Sequence, residues 1–334
     1  MRRRGTAGRR DRARPSHPLP PSRGRAGPDR GRHRLTTIER DSRTTAILAI
    51  SVATALWGMA GLFVKSASIS ALWFATYRLW TGVAIYAVIL VVTRGRFRLA
   101  TLRACAVGGV LFAADQAFAF SAFKLTTVAN ANIIIALAPI FIAFAASRLF
   151  GERIGRREVL LAGVSFAGVG LVAVGASGTP QWSPVGDLLA LGSMVCWSTY
   201  WLFSKRARQR ITTLEYMSSV MLIGAIVMTP VALLVERSIE VPDAGDWVWI
   251  ALAALLTGAV AHTLVAWAHG HIEAWLGSLI TQCMPVVAAI AAWLVLDEPV
   301  TPLVALGGVI VVSATASVAV GGGAFRRDEY SEAR

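Results

Sequence analysis

Asp115 sits between Ala114 and Gln116, well inside a long apolar run. A charge at the centre of a hydrocarbon layer costs about 2.5–3.5 kcal/mol on insertion scales, so it needs a reason to be there. Two reasons are open. The carboxylate is either satisfied by a neighbouring helix, with Arg78 as a partner of opposite charge, or it carries a proton or anchors a substrate amine. A group that titrates in a desolvated cavity can couple proton movement to a conformational change. His262 lies in a later apolar run, either as an interhelical hydrogen-bond partner or as a coupling group. His269 follows seven residues on, two turns along the same helix face. With His271 it reads as an interfacial loop residue.

Other polar groups gather near prolines. Asn130 and Asn132 precede Pro139, and Gln282 precedes Pro285. A proline inside a helix removes one hydrogen bond and clashes with the carbonyl four residues earlier, here at Ile135 and Thr281. Such kinks persist in a membrane only where other groups satisfy the backbone. The three amides either bond across helices or line a midplane cavity beside broken helices. Trp57, Trp197, Tyr200 and Trp267, with Trp201, can pack as core or stack on a cationic or aromatic substrate. No His/Cys cluster has metal-ligand spacing. Cys105, Cys196 and Cys283 all fall in apolar runs, and three is an odd number, which argues against a disulfide framework. No Gly-x4-Gly-Lys-Ser/Thr loop occurs, so primary ATP-driven transport by this chain is not expected. No catalytic residue, metal, cofactor or nucleic-acid partner is expected.

The elements that position these residues follow from composition. The chain has 334 residues, 55% hydrophobic and only 16% charged, against about 25% charged in average soluble proteins. Residues 1–43 hold 14 arginines and +10 of the net +14. That tail is rich in Arg, Pro and Gly and is expected to be disordered. It reads as a cytoplasmic anchor near anionic lipid or as translated upstream sequence from an early start site. It lacks the short apolar core and cleavage motif of a signal peptide. A spanning helix needs about 20 apolar residues. Ten candidates follow: 45–64, 72–92, 104–123, 128–147, 158–176, 186–204, 214–235, 247–267, 274–295 and 303–321. Arginines crowd alternate loops, with Arg94, Arg96, Arg98 and Arg103 in one, Arg148, Arg153, Arg156 and Arg157 in the next, and Arg206, Arg208 and Arg210 in a third. The positive-inside rule then puts both termini in the cytoplasm. The expected fold class is an all-α polytopic protein of the inner cell membrane.

The chain repeats itself. Trp57, Leu62, Phe63 and Lys65 recur as Trp197, Leu202, Phe203 and Lys205, 140 residues on. Pro139 is followed thirteen residues later by Glu152, and Pro285 thirteen later by Glu298. Five spans per half is an odd number, so the second half enters from the opposite face, and inverted repeats with a site between them are a transporter signature. The expected layout is a tail at 1–43, repeats at 44–177 and 184–321, and a cytoplasmic tail at 322–334. Asp115 and His262 fall within one residue of equivalent repeat positions, and are expected on either side of the midplane rather than in contact.

These marks resemble the EamA family of the drug/metabolite transporter superfamily. They are the Trp57-Gly58 pair with Lys65, Arg78, the Pro139…Glu152…Gly163 run, and Trp197, Lys205, Pro285, Glu298 and Gly308 in the second half. The likeness covers about residues 45–320. It implies ten helices in two inverted five-helix repeats and a carrier that exports amino acids or small metabolites, with a small-molecule substrate and a lipid surround; the Asp115 reading adds proton coupling. Span 7 has no partner for Arg78, so the halves differ there.

The remaining charged residues read as structural. Lys65 and Lys205 are expected to snorkel at span ends, and Arg78 to be an outer-face anchor or a buried ion-pair member. Glu152 and Glu298 are expected to cap the next helix. Gly163, Ala167 and Gly170, with Ser313 and Ser317, permit close helix packing or a homodimer face. The functions in competition are a secondary exporter, a lipid-linked-sugar flippase and a membrane enzyme.

Overall fold

The computed structural model describes residues 30–95, 97–126, 128–177, 183–296 and 300–321, and every element among them is helical. Among the described residues, those from Asp41 onward form one compact unit, the membrane bundle, and those before it belong to a second unit. The side chains of Lys65, Asn130 and Asn132, and the whole of Glu298, lie outside the described residues.

The first predicted span is α1 (Arg30–Gly58) plus α2 (Ala60–Ser66), so helical backbone begins inside the segment expected to be disordered. Its apolar part is Ser42–Val64. Then come α3 (Ala71–Val92), α4 (Leu99–Ala104) and α5 (Ala106–Leu125). The fourth and fifth spans are α6 (Val128–Ile135) with α7 (Ala138–Phe150), and α8 (Arg156–Ser177). The second half holds α9 (Pro184–Arg208) and α10 (Thr213–Glu236). Its eighth span is α11 (Ala244–Leu252), a π-helical stretch Ala253–Val260, and α12 (Ala261–Ala268). The ninth is α13 (Ala274–Ile280), a 3-10 turn Thr281–Cys283, and α14 (Met284–Leu296); α15 (Pro302–Gly321) completes the ten.

Among the described residues, eight helices are long and apolar enough to cross a membrane. The other two predicted spans are α5, whose apolar part is the shorter Ala106–Ala122, and α9, which carries Asp187, Ser193 and Ser198 among its apolar residues. Outward-facing Val91, Leu234 and Val320 are each more than three-quarters exposed, and such apolar faces need lipid against them.

Local chemistry sets the ends. The Ser70, Ser183 and Thr212 side chains each accept an N-terminal backbone N–H, opening α3, α9 and α10. Asp243 and Asp246 form a reciprocal capping box at α11, satisfying donors that a helix start leaves orphaned. Gly151 closes α7 at φ 66°, a left-handed turn where glycine carries no Cβ penalty.

Packing follows the repeat. Spans 2 and 7 (α3 and α10), spans 5 and 10 (α8 and α15) and spans 4 and 9 (α7 and α13) each pack against their own counterparts. In addition α5 packs on α10, and its counterpart, the π-helical stretch, packs on α3. A two-fold axis turns each contact of one half into the matching contact of the other. The α8–α15 crossing rests on Gly168 and Gly307 rather than on the expected Gly163 and Gly170. A Cβ on Gly307 would stand 2.6 Å from the Gly168 carbonyl oxygen, whereas one on Gly163 or Gly170 would meet nothing within 4 Å. Helix pairs in lipid associate through such close approach.

Gly307→Val should therefore cost about 1–3 kcal/mol of overpacking, read as a lower melting temperature in detergent. Gly163→Ala should not lower it.

Candidate functional site

Spans 4 and 9 are both interrupted beside a proline. Helix α6 stops at Ile135 and α7 restarts at Ala138, with Pro139 in its first turn. Helix α13 stops at Ile280, and the 3-10 turn leads into Pro285 near the start of α14. The two breaks are joined, because Gln282 Nε2 donates to the Ala136 carbonyl at 3.2 Å. Gln282 thus satisfies an acceptor freed by the opposite break, and its own Oε1 is buried without a partner among the described residues. Gly58 lets span 1 approach closely here, since a Cβ there would lie 2.8 Å from Val287 Cβ and 3.1 Å from the Met284 oxygen.

Between these breaks lies a cavity of about 180 Å³. Both prolines, Gln282, Trp57 and Trp197, with Arg78, Asp115, Gln116, Ser193 and His262, face it. Asp115 is 5% exposed and doubly held. Its Oδ1 accepts from Ser193 Oγ at 2.7 Å, and its Oδ2 from Gln116 Nε2 at 3.0 Å. Gln116 Oε1 in turn accepts from Arg78 Nη1 at 2.6 Å. The acid and the base are linked through an amide, not directly as the sequence suggested. Arg78 is also not a surface anchor. It is 5% exposed and faces the cavity.

The eighth span supplies the opposite wall. In its π-helical stretch backbone bonding is displaced, a feature that often marks functional sites. Trp57 Nε1 donates to the Thr257 carbonyl at 3.0 Å and Tyr86 Oη to the Ala259 carbonyl at 3.1 Å, both within that stretch. His262 follows it, with its ring 4.9 Å from both Trp57 and Phe112. Neither ring nitrogen makes a hydrogen bond among the described residues, and Asp115 is bonded to other partners, as given above. Asp115 and His262 therefore share a cavity without forming an acid–base pair.

Not every expected aromatic faces this space. Tyr200 is buried behind the wall, 5.1 Å from Phe112 and 5.7 Å from Trp197. Trp267 is directed away and stacks on His271 at 4.2 Å. Ser193, Gln116 and the π-helical stretch were not singled out from sequence. Gln116 adjoins Asp115 in an apolar run, and that adjacency was the available signal.

One end of the cavity is sealed. Ser193, Trp197, Trp201 and Lys205 are spaced four apart on α9, along one helix face. The first two line the cavity. Trp201 is fully buried beyond them, with Nε1 donating to the Ala274 carbonyl at 3.0 Å and its ring 4.4 Å from His269. His269, in the turn that follows α12, is buried, with Nδ1 2.8 Å from Ser204 Oγ, so it packs inside the bundle rather than at the membrane interface. Lys205 Nζ then lies 3.0 Å from Glu152 Oε1 and donates to the Ile272 carbonyl at 2.5 Å. Glu152 also accepts from the backbone N–H groups of Ala274 and Trp275 at 2.9 and 3.4 Å. Both residues depart from expectation. Glu152 caps α13, across the bundle, rather than the next helix, because α13 presents orphaned N–H groups there. Lys205 is not a snorkelling anchor but the counter-charge of that cap.

This architecture matches known proteins. The EamA-like transporter family model matches residues 44–174 and again 184–320. The chain belongs to the EamA-like transporter family. It is 27% identical over 252 residues, 71% of its length, to the "Uncharacterized transporter YyaM" of Bacillus subtilis (strain 168), covering 81% of that protein. It is 26% identical over 184 residues to the "Uncharacterized transporter YetK" of the same strain, which takes in 53% of the chain and 55% of that relative. A crystal structure of a protein 22% identical in sequence superposes with a TM-score of 0.73 over 85% of the chain and 98% of its own. That likeness is one of fold. This family member is thus a multi-pass membrane protein built of two repeats.

Breaking a buried ion pair on one side costs about 3–5 kcal/mol, because the remaining charge is stranded. Lys205→Met and Glu152→Gln should each lower the melting temperature in detergent. The double variant should lose clearly less than the sum of the two.

Proposed function

We propose that this protein is a secondary carrier that exports a small metabolite such as an amino acid. In this reading the two repeats alternate around the cavity, and Asp115 couples the movement to protons. The observation that carries it is a buried charged network facing a closed-ended cavity at the meeting point of two broken helices. Half-helices meeting at a midplane site are how inverted-repeat carriers bind substrate. Both donors on Asp115 suit an ionised carboxylate. Protonation would make one oxygen a donor and force Ser193 or Gln116 to reorient, a local change of the kind that biases a two-state element. By the positive-inside rule, the arginine-rich loops support a cytoplasmic position for the Glu152–Lys205 seal. A cavity of about 180 Å³ suits a small metabolite better than a lipid-linked sugar.

The test compares the extracellular metabolites of cells expressing the wild-type chain, Asp115→Asn and an empty vector. One or more small compounds should be enriched outside only with the wild-type chain, and Asp115→Asn should reach the membrane in equal amount. Full export by Asp115→Asn would remove that residue from the mechanism. No enrichment with the wild-type chain would count against export.

A further inference from the structure

Arg78 is only partly used by the protein. Its Nη1 is spent on Gln116. Nε is buried with no partner, and Nη2 makes no hydrogen bond among the described residues. No carboxylate is bonded to the guanidinium, since both oxygens of Asp115 are taken by Ser193 and Gln116. A buried arginine holding unspent donors is costly, and its Nε–Nη2 edge has the fork geometry that takes a carboxylate through two parallel bonds. The neighbouring residue puts no side chain over that edge. Gly258 has no side chain, and a Cβ there would lie 3.9 Å from both Nε and Nη2.

The rest of the cavity fits the same ligand. Trp57 and Trp197 offer an apolar wall, and their rings meet edge to face at 5.3 Å. Gln282 lines the cavity, and its Oε1 is buried without a donor among the described residues. It would accept an N–H or O–H from the ligand.

We infer that the cavity takes a small organic carboxylate, held at the Nε–Nη2 edge of Arg78 with its apolar part against Trp57 and Trp197. This rests on the transport reading and narrows its substrate class. It gives Arg78 the contact with the ligand's charge and leaves Asp115 to Gln116 and Ser193.

The test is direct binding to the purified full-length chain in detergent, read by quenching of tryptophan emission. Four probes share one aromatic body: phenylacetate, phenylalanine, the neutral amide phenylacetamide and the amine phenethylamine. The two carboxylates should bind at least tenfold more tightly than the amide and the amine. Arg78→Gln should weaken both carboxylates at least tenfold and leave the amide unchanged, and Arg78→Lys should recover part of the loss. Gly258→Leu keeps the charge but covers the edge, so it should produce the same selective loss. It decides the matter if Arg78→Gln does not fold. Amine or amide binding as tight as carboxylate, carboxylate binding indifferent to these variants, or no carboxylate binding by the wild-type chain would each overturn the inference. Flux of the bound probe into proteoliposomes is measured separately. Binding without flux would count against transport and leave the carboxylate site standing.

Discussion

Hydrocarbon offers no hydrogen bonds, so each peptide group in a membrane must find its partner within the protein. The bundle is organised around the few places where a continuous helix does not supply that partner. The breaks at Pro139 and Pro285 free carbonyls in two spans, and Gln282 on one span bonds Ala136 on the other. The π-helical stretch presents the Thr257 and Ala259 carbonyls, and Trp57 and Tyr86 bond them. These crossings tie spans 1 and 2 to span 8 and span 4 to span 9, and with spans 3 and 6 these helices line the cavity.

The same constraint explains the sealed end. A helix start leaves N–H groups unmet, and those of α13 are met by a carboxylate from another span, which then needs a counter-charge. Glu152 and Lys205 do local work for α13, yet they tie spans 4, 6 and 9 together. A contact that satisfies one helix end is, in this bundle, also a contact between the two repeats.

Much of the fold is legible in the sequence, because hydropathy, prolines and the repeated Trp and Lys positions are properties of short segments. The breaks near Pro139 and Pro285 follow from the missing N–H and the ring's clash, which are local too. Asp115 stands out because a carboxylate in an apolar run is expensive wherever it points. Partners are a different matter. Glu152 meets α13 more than a hundred residues away, and Ser193 reaches Asp115 across 78 residues. Apolar helices of similar composition do not announce which faces meet. Arg78 reads as an anchor because it lies only six residues into its span, yet that depth puts it at the cavity. Gly163 and Gly308 are matched in the repeat, but Gly168 and Gly307 make the close crossing. A match in sequence marks equivalent positions in the two halves, whereas contact depends on which face turns inward.

The π-helical stretch has one more consequence. Relative to an α-helix it holds extra chain in the same rise, with bonds of the i→i+5 kind. Each residue of an α-helix turns the face by about 100°. Were the same residues, Ala253–Val260, to run as regular α-helix, the span beyond them, His262 included, would turn away from its place at the cavity. The position of His262 is thus set by the helical form of the stretch before it as well as by chemistry. A change of helical form there would remodel the cavity more than most substitutions within it.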